Sequence, residues 1–400
     1  MKLLRMAALG AAVLGLFGAA VGGAQAQADM PGVTAQAIKI GQTMPYSGPA
    51  SAYGAWGKAT AAYFAMVNDK GGVNGRKVEL ISLDDGYSPP KTVEQTRRLV
   101  ESDNVAFLFA SFGTPTSAAV QRYLNGKRVP QLFVASGAAR WNDPKAFPWS
   151  TPGFPSFQAE ARIFAQYILA KNPKARIGVL YPNDDAGKDY LVGFRAGLGD
   201  KAGSAIVKEA SYESTDPTIE SQIIALKAAE ADTFVSFASP KFAAQAISKI
   251  DDLGWKPLRL INSPSSNIGA VLKPAGLERS TGIVTAQFIK DPNNERWKDD
   301  PAMRRWMDWM AKYNPSASTS DVYNVYGYYM SEIMVHILEA CGTDLSRKNI
   351  LAKSLALKDV QPDMLLPGIT VNTSPTDYDP IKQMRLQRFD GRDWQLLTAE

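Results

Sequence analysis

The residues of this chain that could do chemistry are hydroxyls, small residues and rings gathered in short segments: 46–53, 84–87, 111–116, 136–140, 184–187, 238–241 and 263–267. Hydroxyls beside the free N–H groups of a helix start can receive a carboxylate without a full counter-charge, because the helix dipole and unpaired amides supply the field. Rings such as Tyr46, Tyr53, Tyr87 and Trp141 add apolar walls of large area. This set suggests reversible binding rather than reaction. With one His and one Cys, and no Gly-x-Ser-x-Gly, Gly-x-Gly-x-x-Gly or P-loop pattern, no nucleophile has a base beside it and nothing cradles a phosphate. An enzyme is not expected, nor a cofactor, nor a metal.

Several conspicuous residues have plainer readings. Asp84-Asp85 at a strand end is expected to cap the next helix or pair with Lys or Arg rather than hold a cation. Arg140 suits a surface ion pair, with a bidentate grip on a carboxylate as the alternative. His336, inside Ile333-Met334-Val335-His336-Ile337, reads as an ordinary packed helix residue, and Tyr323, Tyr326 and Tyr329 as a core stripe at three-residue spacing. Asp321 just before them reads as a helix cap or a pocket-lining group.

The elements that must position these segments follow from periodicity. Short apolar runs at 78–83, 105–110, 131–135, 177–181, 205–212, 233–237 and 258–262 read as strands. Between them, 89–102, 116–125, 157–171, 187–198, 219–229 and 242–253 read as helices. Such alternation implies βαβ units and mostly parallel sheets, whose strand carboxyl ends face a common crevice. The last third changes character: 302–313, 321–341 and 348–357 read as helical, and 368–397 as short strands with a hairpin at Asp390-Gly391.

Residues 1–26 have the form of a secretory signal. Lys2 and Arg5 precede an apolar run at 7–21, and Ala24-Gln25-Ala26 fits the cleavage rule. No Cys stands directly after the cleavage site, so the exported protein is expected to be free of a lipid anchor. Cys341 is the single cysteine, which excludes an intramolecular disulfide and leaves stability to burial. The remainder, roughly 370 residues, exceeds the usual single-domain size, so two lobes are expected. Removing Lys2 and Arg5 lowers the formal net charge from +5 to +3, a mild balance with no basic run to suggest nucleic acid or a membrane surface.

The chain resembles the leucine/isoleucine/valine-binding protein family, the type I periplasmic solute receptors of ABC importers. The resemblance is carried by Ile38-Lys39-Ile40-Gly41, Ser47-Gly48-Pro49, Tyr53-Gly54, the 71–77 run Gly-Gly-Val-Asn-Gly-Arg-Lys, Asp84-Asp85 and Asn183-Asp184-Asp185-Ala186-Gly187. Pro367-Gly368-Ile369 and Phe389-Asp390-Gly391 extend it to the tail. It implies an α/β fold of two Rossmann-like lobes with parallel sheets joined by a three-crossing hinge, lobe 1 being 38–151 plus 282–363 and lobe 2 being 152–281 plus 364–400. A monomer in the periplasm would capture a small-molecule solute between the lobes and deliver it to a membrane permease.

In lobe 1 the resemblance places the solute carboxylate on Ser111, Gly113, Thr114 and Thr116 and on the second loop, Ser136, Gly137 and Ala138. Tyr53, with Tyr46, would pack on the solute body, and Asp185, Ser239 and Ser265 would face it from lobe 2. Departures from the family pattern bear on the solute. Pro264 falls where relatives that take amino acids carry an acid for the ammonium, and Ala139, Ala186 and Ser239 stand where bulkier or hydroxylated residues are usual. A carboxylate without an amine, with a flat or aromatic body, is the favoured solute. The alternatives are branched-chain or other amino acids, or service as the ligand-reading part of a sensor.

Overall fold

The computed structural model describes residues 30–397, so the expected export signal lies outside the described residues. Two sheets form. Among the described residues the first has the order β2-β1-β3-β4-β5, with β1 at Ala37–Met44, β2 at Lys77–Asp84, β3 at Phe107–Phe109, β4 at Gln131–Val134 and β5 at Ser150–Pro152, every neighbouring pair parallel. β1 is buried along nearly its whole length, as a parallel strand covered on both faces must be. The helices Gly54–Asp69, Pro89–Arg97 and Thr114–Lys127 make the crossovers, and Pro301–Tyr313, Tyr323–Cys341 and Arg347–Ser354 complete this lobe. Gly327 lets the 323–341 helix lie directly on the 54–69 helix: a Cβ there would stand 2.6 Å from the Trp56 carbonyl oxygen.

The second sheet has the order β12-β11-β10-β9-β8-β6-β7. β6 Ile177–Pro182, β7 Ile206–Tyr212, β8 Thr233–Ser236, β9 Leu258–Ile261 and β10 Val284–Gln287 are parallel. β11 Arg385–Phe389 runs antiparallel to β10 and closes a hairpin with β12 Trp394–Leu396, turning at 390–393 where Gly391 takes φ +104. One boundary differs from the sequence expectation. Residue 282 was to return the chain to lobe 1, yet Val284 pairs with Leu260 and Arg388, so β10 belongs to the second sheet and the crossing follows it.

Three segments join the lobes, and each is tied. At the first, the Tyr329 hydroxyl donates to the Gly153 carbonyl at 3.1 Å. The second and third run side by side: Ile289 pairs antiparallel with Leu365, Lys290 N donates to Met364 O at 2.8 Å, and Leu366 N donates to Phe288 O at 2.9 Å. Phe154 and Phe288, one on each of the first two crossings, meet at 5.2 Å between ring centres, and both contact Tyr326. The largest buried cluster therefore runs without a break from one lobe into the other. No described helix is long and apolar enough to cross a membrane.

Candidate functional site

The residues just past the strand ends of both sheets meet around one cavity, lined from Pro49 and Phe112 on one side to Pro182, Phe237 and Asn262 on the other. Its walls are rings. From lobe 1, Tyr53 and Phe112 lie 4.2 Å apart between centres, with Trp56 and Tyr87 beside them. From lobe 2, Phe157, Tyr190 and Phe237 form a stack with spacings of 4.3 and 4.5 Å and interplanar angles of 17° and 11°. Trp56 is the (i, i+3) neighbour of Tyr53 on one helical turn, which brings both rings to the same face.

The polar floor of lobe 1 is the start of the Thr114–Lys127 helix. Ser136 Oγ accepts from the Trp141 indole N–H at 2.9 Å and from the Ala138 N–H at 3.2 Å, which occupies both lone pairs. Its one proton must therefore go to Thr114 Oγ1, 2.7 Å away, and the Thr114 proton is left for the cavity. Pro115 has no N–H and the first helical amides have no intrahelical acceptor, so the floor is a set of neutral donors in a positive dipole field. Gly113 makes this floor possible. It takes φ +98, and a Cβ there would lie 2.5 Å from the Tyr87 ring and 2.6 Å from Thr116 Oγ1. Gly113→Ala is accordingly expected to cost about 1 to 3 kcal/mol of stability and to weaken solute binding at least about tenfold, measured by urea unfolding and calorimetry. Unchanged values of both would show that the loop adapts freely.

Among the described lining residues the one charged group is Asp184, whose Oδ1 accepts from the Gly187 N–H at 3.0 Å and whose pKa is raised by burial. Among the described residues, no Lys, Arg or His lines the cavity. Ser239 donates its N–H to the Tyr212 hydroxyl at 2.9 Å. Behind Tyr190 lies Glu160, 2% exposed, taking hydrogen bonds from the Tyr190 hydroxyl and from the Ser263 N–H and hydroxyl; burial pushes its pKa up to about 7.

Of the residues singled out in the sequence, the structure brings Tyr53, Tyr87, Gly113, Thr114, Ser136, Ala186, Ser239 and Pro264 to the lining. The other expected solute contacts stand behind it. Tyr46 bonds Ser82 at 2.6 Å, Ser111 Oγ receives the Thr43 N–H, Thr116 donates to Phe112 O, and Ser265 donates to Ala238 O. Gly137 is pressed against the first crossing, where a Cβ would stand 2.0 Å from Pro155 O, and Ala138 gives its N–H to Ser136. Asp185 points outward to Arg140 at 2.7 Å, so its neighbour Asp184 faces the cavity instead. That ion pair is the surface contact expected of Arg140, and it ties the lobes together, as does the Ala139 N–H on Asp189.

Asp84 accepts from Ser47 and Lys91, and Asp85 from Tyr87 N and Thr92, as capping groups do. No metal-holding cluster is present among the described residues. Tyr323 and Tyr329 are fully buried while Tyr326 also lines the cavity. Asp321 accepts from Asn267 and Tyr323 N, away from the lining. His336 is exposed on its helix rather than packed. Trp56, Phe112, Phe157, Tyr190, Phe237 and Asn262 were not singled out in the sequence; only the nearness of each to a strand end or helix start could have marked them.

Two α/β lobes with strand ends across a shared cavity and three crossings between them define a type I periplasmic binding protein. The chain belongs to the periplasmic binding protein family, whose model matches residues 37–393. It is 25% identical over 275 residues to the Leu/Ile/Val-binding protein homolog 7 of Brucella abortus (strain 2308), 64% of this chain and 64% of that protein, so it spans a little under two thirds of that relative's length. Among solved structures it is similar to a substrate-binding periplasmic protein from Ralstonia solanacearum, with TM-score 0.81, 24% identity, and 90% and 100% of the two chains covered. A branched chain amino acid ABC transporter protein from Thermus thermophilus with bound valine gives TM-score 0.82 at 15% identity, covering 92% of this chain and 97% of that one. An ABC transporter solute-binding protein from R. palustris in complex with benzoate gives 0.75 at 19%, covering 90% and 95%. At these identities the likeness is one of fold.

Proposed function

We propose that this protein is a periplasmic solute receptor that captures an aromatic carboxylate between its lobes and hands it to the membrane permease of an ABC importer, without chemical change to the solute. The observation that carries this reading is the make-up of the cavity: aromatic faces from both lobes, neutral donors at a helix start, and no cationic side chain in the lining. Pro264 lines the cavity, and the family resemblance puts it where amino-acid-binding relatives carry an acid, which argues against an α-amino acid. Asp184, on lobe 2, repels a carboxylate and so directs the acid end of the solute to Thr114. The benzoate held by a protein of the same fold is consistent with this class of solute.

A ligand selective for the folded state raises stability by mass action, about 2.7 kcal/mol at a concentration of one hundred Kd. Benzoate and substituted benzoates are expected to raise the melting temperature, and leucine to leave it unchanged. Micromolar leucine binding by calorimetry, with no response to aromatic acids, would reverse that order. Asp184 also favours a second reading, since it is the acid in the lining that could meet an ammonium. Asp184→Asn separates the two: it abolishes amino acid binding if that reading holds and spares aromatic acid binding if the first does.

A further inference from the structure

Asn262 brings to the cavity lining a buried polar atom that no described residue pairs. It follows β9, is 4% exposed and lines the cavity. Behind the cavity wall the Tyr190 hydroxyl donates to Glu160 at 3.1 Å. Glu160 is held in turn by the N–H and hydroxyl of Ser263, the next residue along the chain from Asn262. This network leaves Asn262 Oδ1 outside it, buried and without a hydrogen-bond partner. Across the cavity, lobe 1 leaves Trp56 Nε1 in the same condition, on a side chain 1% exposed.

The two unpaired atoms have opposite sense. An indole N–H, like the Thr114 hydroxyl and the first amides of its helix, is satisfied by a carboxylate. An amide oxygen is not, because it repels one; it requires an O–H or N–H carried by the solute. We propose that the solute is a hydroxylated aromatic acid, with its carboxylate at Thr114 in lobe 1 and its ring hydroxyl donating to Asn262 Oδ1 in lobe 2. This rests on reading the cavity as the site of a flat carboxylate. A hydroxyl fits better than an ammonium because Asn262 is neutral, whereas an ammonium would be drawn to Asp184 in the same lining. A site built to receive a solute hydroxyl also discriminates sharply, since an analogue lacking it leaves a buried group unpaired.

The test is calorimetry on the full mature chain with benzoate, 3-hydroxybenzoate, 4-hydroxybenzoate, 4-methoxybenzoate and 4-(aminomethyl)benzoate. One of the hydroxybenzoates is expected to bind about 10- to 100-fold tighter than benzoate, and the methoxy compound, which keeps the oxygen but loses the donor, no tighter than benzoate. Asn262→Leu should bring the hydroxybenzoates down to the level of benzoate. If that variant does not fold, the wild-type series decides alone. Equal affinity for benzoate, the hydroxybenzoates and 4-methoxybenzoate would overturn the hydroxyl and leave the aromatic acid reading standing. Tightest binding of the aminomethyl compound would overturn it in favour of an ammonium, and no affinity for any of the five would bring down both.

Discussion

Tyr53→Ala is expected to weaken solute binding by about 1 to 3 kcal/mol and to lower folding stability by about 3 to 5 kcal/mol. The position of the ring explains why both change. One side of Tyr53 lines the cavity, while the ring lies 4.2 Å from Phe112 and 4.9 Å from Tyr323 between centres and the residue is 6% exposed. Burial raises its hydroxyl pKa well above the ordinary value. From sequence, Tyr53 was expected to pack on the solute body; its burial against Phe112 and Tyr323 adds the second effect. Tyr53→Phe keeps the ring contacts and should retain most of both quantities. Calorimetry and urea unfolding on the two variants separate the contributions. A destabilised Ala variant with unaltered affinity would remove Tyr53 from the solute wall, and unaltered stability would contradict the packing.

Stability is expected to fall as pH rises from about 4.5 through about 7, and Glu160→Gln to reduce that slope. Burial pushes the Glu160 carboxyl from its ordinary 4.5 up to about 7, against hydrogen bonds from Ser263 and Tyr190 that pull the other way. Between those pH values the folded protein holds a proton that the unfolded chain has released, so the unfolding free energy declines with pH. The contribution is complete below the lower value, is lost through the upper one, and is of the order of 3 kcal/mol. Glu332, pushed up to about 7 by burial and by the charge of Asp363, titrates in the same window and remains in the variant. The slope should therefore shrink rather than vanish. Unfolding free energies at pH 5 and pH 7.5 in both proteins measure it, and parallel slopes would refute the role of Glu160.

Regular alternation made most of the fold legible, because a parallel strand buried on both faces leaves an unbroken apolar run such as Phe107–Phe109 with its flanks. β5 and β10 escaped because Ser-Thr-Pro and Val-Thr-Ala-Gln are too short and too polar to read as runs, yet both are fully buried by their neighbours. Missing β10 is what misplaced the second lobe boundary.

The site was legible where chemistry and position coincide, as at Thr114 and Ser136. It was not where a side chain has two plausible directions. Asp184 is the extended N-cap and Asp185 the first residue of the helix, and tertiary packing decides which of them faces inward. Trp56, Phe157 and Tyr190 look in sequence like ordinary helix core. Only the meeting of two lobes makes them a wall.

The pairing of 288–290 with 364–366 turns two of the three connections into a single ribbon. Strands bonded edge to edge flex out of their common plane but resist sliding, since a slip of one residue would break both the Lys290–Met364 and the Leu366–Phe288 bonds. Thr114 and Asn262 are carried on different halves, so the distance between them is set by how this ribbon aligns the two halves and by neither half alone.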